Sequence, residues 1–189
     1  MPFAEVKVII DLSVRGLCCK PYPGHPKGCP CFGKKLGCPP QAPIVDKVLD
    51  LSKPVIAVYN AFDLGEHVRQ MLDAHPSWSD RQLACCLYWQ PRARRELKAE
   101  IRKAFNQLHP DMVLLGNPEA AGVNVTATME TCGIYLNWPP QEIAYQVSLI
   151  GFPSLVRELD EYRFNREYLN EPVSDHDHCM DHGNSLFPI

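Results

Sequence analysis

Residues 54–72, PVIAVYNAFDLGEHVRQML, change hydrophobic period partway along, and the architecture follows outward from that change. The run PVIAVY at 54–59 is apolar, rich in β-branched residues and without alternation, the pattern of a strand covered on both faces. Beyond it Leu64, Val68, Met71 and Leu72 recur at helical spacing, and Asp63 has the side chain to cap a helix reaching about His75. Ser79 can cap the next helix. From Pro91 to Leu108 the positions Leu97, Ile101, Ala104, Phe105 and Leu108 again keep helical spacing, and His109-Pro110 ends the run. MVLLG at 112–116 reads as a further short strand.

Toward the amino terminus, EVKVIIDL at 5–12 reads as the first strand, and residues 43–52 as a short helix opening on Pro43. Toward the carboxyl terminus, Asn117-Pro118 and Gly122 break the chain. A helix starting near Pro139 or Pro140 is expected to stop at Gly151, and a charged helix to begin at Ser154. Helices alternating with buried strands predict an α/β domain: a small, mostly parallel sheet flanked by helices, with ligand loops at the strand ends. Residues 1–170 are expected to form this single domain, with a long Cys-rich loop at 15–42 after the first strand. Residues 171–189 read as a flexible tail rich in His and Asp.

The 189 residues and their apolar share suffice for a real core without disulfide staples. Glu5, Lys7 and Asp11 interrupt the amino-terminal apolar residues, so no secretory signal is read there, and no run approaches a membrane span. The expected location is the cytoplasm, where nine cysteines point to metal or redox chemistry rather than to disulfides. Charge is unevenly spread: residues 1–110 hold 16 of the 19 Lys and Arg against 10 acids, and residues 157–189 hold 3 basic residues against 8 acids. A basic amino-terminal part permits an anionic partner.

Residues 17–40, LCCKPYPGHPKGCPCFGKKLGCPP, concentrate five cysteines and six prolines. A loop of this length inside a compact domain needs function or a ligand to order it. Cys18, Cys19, Cys29, Cys31 and Cys38 offer more thiols than one site requires, and a soft thiolate set selects zinc or an iron–sulfur cluster. Cys29 and Cys38 each precede proline, as does the last ligand of the bacterial ferredoxin run. Glycines 24, 28, 33 and 37 allow tight turns that aim amides at sulfur, and Lys20, Lys27, Lys34 and Lys35 offset the charge of a thiolate-ligated cluster. Zinc sites pair their cysteines two to four residues apart. No Cys-x2-Cys pair exists here, so an iron–sulfur cluster is preferred and a structural zinc site is the alternative.

CPCFGKKLGCPP resembles the loop of an uncharacterised family of predicted metal-binding proteins, in which Cys-Pro-x-Tyr-Gly is followed by Cys-Pro-Pro; Phe32 stands at the tyrosine. The segment TATMETCGIYLNWPPQEIAYQVSLIGF is similar to that family's second signature at Met129, Glu130, Gly133 and Ile134. The resemblance implies Cys29 and Cys38 as ligands together with an upstream cysteine, for which Cys18 and Cys19 compete. Cys31 falls at the family's variable position. The insert PYPGHPKG departs from the pattern, and the family's multi-cysteine stretch before its Met-Glu segment is missing, which implies a single site. With only three cysteine ligands, one iron would keep an open position.

The expected cofactor is therefore one cluster, of the 4Fe-4S type, with Cys19, Cys29 and Cys38 as preferred ligands and Cys31 as the fourth candidate. Glu130 is the candidate proton donor or base. The expected function is a redox or Lewis-acid enzyme, an oxidoreductase or a sulfur-transfer or desulfurase-type enzyme, acting on a small molecule or modified base. The competing expectation is a zinc-stabilised module presenting Lys27, Lys34 and Lys35 to RNA or a protein. Cys85 and Cys86 in LACCLYW read as buried, inert thiols, and Cys132 as a core residue that could supply a remote ligand. His176, His178, Cys179 and His182 have ligand types in a solvated tail, and His25 reads as a turn residue. Arg92, Arg95, Lys98 and Arg102, interleaved with Glu96 and Glu100, read as a salt-bridged solvent face. No Walker loop, dinucleotide fingerprint or nucleophile elbow is present.

Overall fold

The computed structural model describes residues 2–21, 26–35 and 37–155. The expected helix after Ser154, the tail at 171–189 and His25 lie outside the described residues. The elements are β1 (Phe3–Val6), α1 (Val45–Val48), β2 (Val55–Asp63), α2 (Leu64–Ala74), α3 (Asp80–Leu83), α4 (Cys86–Phe105), β3 (Val113–Leu115), α5 (Val125–Glu130) and β4 (Ile143–Gly151). Leu12–Cys19, between β1 and α1, winds as 3-10 turns. Among the described residues, no helix is long and apolar enough to cross a membrane.

The sheet corrects the parallel expectation. Its order is β1-β2-β4-β3, and every pairing is antiparallel. The expected helix ending at Gly151 is instead β4, the longest partner of β2, with Val55 opposite Gly151 and Asp63 opposite Ile143. β4 enters between β2 and β3, so those two strands never pair and the right-handed parallel crossover that alternating elements suggest does not form. Ala144 and Gln146–Gly151 are all buried because β4 is covered on both faces. An apolar run covered on both faces has no period to separate strand from helix.

Local chemistry explains the helices. The Asp63 carboxylate accepts from the Glu66 amide at 2.7 Å and caps α2. Ser79 and Gln82 form a reciprocal capping box on α3. α4 starts earlier than Pro91, at Cys86, and contains that proline. Its inner face lays Leu97, Ile101, Ala104 and Phe105 on Val58, Ile150 and Leu114 of the sheet. Nearer its start, Trp89 stacks on Phe62 with ring centres 5.4 Å apart. Fully burying side chains of this size contributes about 1.5–3 kcal/mol each. The opposite face of the sheet packs Val55, Ala57, Val147 and Leu149 against α1 and the segment Ala121–Met129. That second layer carries the candidate site.

Candidate metal centre

The cysteine loop is held at both ends by the layer over the sheet. After β1 the backbone runs beside α5: the Lys7 amide donates to Thr131 Oγ1 and the Ile9 amide to Thr128 Oγ1, both at 3.0 Å. The Asn124 amide donates to the Ile9 carbonyl at 2.8 Å, and the Asp11 amide to the Gly122 carbonyl at 2.8 Å. Asp11 then caps the 3-10 turns through Ser13, and those hydrogen bonds hold its carboxyl below the usual range. The exit is tied by Val45, whose amide donates to the Ala121 carbonyl at 3.0 Å. Arg15 joins entrance to exit, donating from Nη2 to the carbonyls of Pro40 at 2.9 Å and Ala42 at 2.7 Å.

Inside this frame the loop folds on its own backbone. The Cys29 amide donates to the Cys18 carbonyl at 2.7 Å, and the Gly33 amide to the Pro39 carbonyl at 2.8 Å. Gln41 Nε2 reaches back to the Gly33 carbonyl at 3.1 Å. Gly28 has φ +81°, and a Cβ there would stand 2.6 Å from the Cys18 carbonyl oxygen. Only glycine permits that approach.

These turns bring Cys18, Cys29 and Cys38 within electrostatic reach of one another. Burial pushes the Cys18 thiol up to about 12, and the neighbouring Cys29, Cys38, Glu119 and Cys19 add to the rise. Cys38 is buried, and its thiol is raised by that burial and by Cys29, with Lys35 acting in the opposite direction. All three are free, Cys18 and Cys29 half-buried, whereas Cys19 is exposed. Cys31 does not belong to the free set. Among the described residues, no three Cys, His, Asp or Glu side chains are gathered tightly enough to hold a single metal ion.

Glu119 completes the surroundings, and nothing in the sequence reading singled it out. It stands in the turn after β3, between the buried Pro118 and Ala120. Its Oε2 is closed off from solvent and has no hydrogen-bond partner. Burial pushes its carboxyl up to about 8, opposed only by a bond from its own amide. The available signal was its position: a lone acid in LLGNPEAAGV, among small and apolar residues at a strand end.

The other candidates fall elsewhere. Glu130 is exposed at the end of α5. Cys132 packs against the core with its thiol on the Met129 carbonyl at 3.1 Å. Cys85 is the residue before α4, and Cys86 is buried, its thiol pushed up to about 11 mainly by that burial. On α4, Arg92 pairs with Glu96 at 3.0 Å and Lys103 with Glu100 at 2.6 Å, as a salt-bridged face would. Lys20, Lys27 and Lys34 are exposed around the loop.

A loop of this kind can offer three soft donors, Cys18 and Cys29 half-buried and Cys38 buried, with lysines exposed around them. No protein-family model, curated protein or solved structure matches the chain.

Proposed function

We propose that the loop holds one iron–sulfur cluster, of the 4Fe-4S type, on Cys18, Cys29 and Cys38, and that the protein is a redox or Lewis-acid enzyme acting on a small molecule. The observation that carries this reading is the loop's own backbone bonding, which ties Cys29 to Cys18 at 2.7 Å and Gly33 to Pro39, the neighbour of Cys38, at 2.8 Å, with all three thiols free. Cys18 takes the place expected for Cys19 because it is half-buried while Cys19 is exposed.

The donor set fits a cluster better than zinc. A tetrahedral zinc ion with bonds near 2.3 Å draws its thiolates to about 3.8 Å from one another. In a cluster each cysteine meets a different iron, and a wider ring of thiols serves. The lack of a Cys-x2-Cys pair in the sequence favours the second arrangement. When bound, such a cluster supplies an electron carrier and, at an iron without a cysteine, a Lewis acid. The chain's own contribution is the Arg15 tie, which fixes the loop ends, and the burial of Cys38, which limits access of water and oxygen.

Anaerobic purification followed by reconstitution with ferrous iron and sulfide tests the reading. A brown protein with near-equal iron and acid-labile sulfide is expected. A colourless protein holding one zinc and no sulfide overturns it and leaves the zinc-stabilised module as the reading to pursue.

A further inference from the structure

We propose that the ring stack of His75, Trp78 and Tyr88, together with the arginine stripe that continues from it along α4, is a binding surface for single-stranded RNA; this reading is independent of the cluster proposed above.

Three aromatic side chains meet where α2, α3 and α4 join. The His75 and Trp78 rings stack with centres 4.0 Å apart and planes 8° from parallel, and Tyr88 stacks on Trp78 with centres 5.0 Å apart. The backbone fixes this arrangement. The His75 amide donates to the Met71 carbonyl at the end of α2, the Trp78 amide to the His75 carbonyl, and the Tyr88 amide to the Cys85 carbonyl at the start of α4. Ser79 and Gln82, just beyond Trp78, lock the connection through their capping box. Despite this order the rings are not sunk into the core: His75 is exposed, Trp78 half-buried and Tyr88 53 % exposed. An ordered stack open to solvent offers a π-face to a planar partner, and unpaired nucleic-acid bases use such faces whatever their sequence.

Charge selects the partner. The chain as a whole has a net charge of −3, yet residues 75–103 hold seven Lys and Arg against three Asp and Glu. Tyr88, Arg92, Arg95 and Arg102 recur at the spacing of one helical face and all are exposed, while Leu97, Ile101 and Phe105 occupy the face buried on the sheet. From Tyr88 to Arg102 the stripe runs about 21 Å at the helical rise per residue. Arg92 pairs with Glu96 and Lys103 with Glu100, but α4 holds six basic residues and only these two acids, so it stays net positive. Exposed pairs of this kind are weak and salt-screened, and they give way to phosphates. Rings at one end and guanidinium groups along the helix supply the two things that a single strand needs: stacking for its bases and positive charge for its backbone. The core of a protein interface is instead depleted of charge. RNA is favoured over DNA because its loops and ends present unpaired bases, which DNA offers only where its duplex is opened.

Fluorescence anisotropy of a labelled oligouridine of about twelve nucleotides, titrated with the full chain, tests the proposal. Saturable binding that weakens steeply with added salt is expected. Tyr88→Ala should weaken binding about tenfold, with Tyr88→Phe close to wild type. Arg95→Gln should weaken it and lower the slope of log affinity against log salt by about one. Lys34→Gln, on the cysteine loop, should bind as wild type does. No binding by the wild type overturns the proposal, as does wild-type affinity in Tyr88→Ala or an unchanged slope in Arg95→Gln. Loss in Lys34→Gln with retention in Arg95→Gln moves the RNA to the loop lysines and overturns it as well. Tighter binding of oligodeoxythymidine than of oligouridine assigns the surface to single-stranded DNA, and dimerisation that Tyr88→Ala abolishes, in place of RNA binding, assigns it to a second copy of the chain; either result overturns the assignment to RNA. Tyr88 and Arg95 are both exposed, so the variants are expected to keep their fold, and should Tyr88→Ala fail to, the Arg95→Gln slope decides.

Discussion

The Cys29 amide donates to the Cys18 carbonyl at 2.7 Å, so the first two cysteines of the proposed site are pinned to each other through the backbone. Gly28 makes this contact possible, with φ +81° and no Cβ to strike the Cys18 carbonyl. The substitution Gly28→Ala forces the left-handed backbone on an alanine and places a methyl 2.6 Å from that oxygen. Strain of this sort costs about 1–3 kcal/mol, and here relief requires separating the two cysteines. The variant is expected to keep its sheet and lose cluster occupancy severalfold. Circular dichroism with iron and sulfide analysis checks this, and a variant with wild-type occupancy would show that the pinning is dispensable.

The adjacent cysteines should differ in kind. Cys18→Ser, Cys29→Ser or Cys38→Ser removes a soft donor from the converging set, and each is expected to abolish or bleach the visible cluster absorbance. Cys19→Ser changes an exposed thiol and is expected to leave it within error of wild type. Reconstitution of the four single variants side by side gives the answer; bleaching in Cys19→Ser with retention in Cys18→Ser would exchange the two assignments.

Sequence patterns are legible here wherever a short-range signal does the structural work. The Asp63 cap, the Ser79 and Gln82 pair and the inner face of α4 are all such signals, and α2, α3 and most of α4 stand where they point. β4 was illegible because Ala144 through Gly151 are almost continuously buried, which erases the period, and with β4 unread the antiparallel order could not be recovered. The candidate site divides in the same way. Cys29 and Cys38 stand out by their spacing to proline and glycine. Cys18 and Cys19 are adjacent and identical in type, and they differ only in burial, which the fold of the loop sets and a local pattern does not. Glu119, with its unpartnered Oε2, stands more than eighty residues beyond Cys38 in sequence, and no local pattern marks it.

Thr128 ties the loop entrance to α5 and is 1 % exposed, so its hydroxyl is the acceptor that satisfies the Ile9 amide away from water. Thr128→Ala leaves that amide without its partner and is expected to lower stability by about 1–3 kcal/mol. Thr128→Ser keeps the oxygen and should recover most of the loss, with only a methyl missing. Urea denaturation of the apo proteins measures the difference. Equal losses for Ala and Ser would assign the effect to packing of the methyl group rather than to the hydrogen bond.

His67 provides a pH dependence away from the cysteine loop. It is buried on α2 beside Phe62, with ring centres 6.0 Å apart, and its Nε2 has no hydrogen-bond partner. Burial, and secondarily the Arg92 guanidinium on α4, depress its pKa below the ordinary histidine value. In the unfolded chain His67 titrates near ~6.5. Between the depressed folded value and ~6.5 the unfolded state therefore binds more protons, and stability rises with pH across that window. The contribution is fully present above ~6.5 and is lost as pH falls through the folded value. His67→Gln removes the titration while keeping a polar side chain of similar reach, so the difference in urea midpoint between pH about 5 and about 8 should be smaller in the variant than in wild type. Parallel midpoint-against-pH curves for the two proteins would show that His67 takes up its proton as easily in the fold as in the open chain.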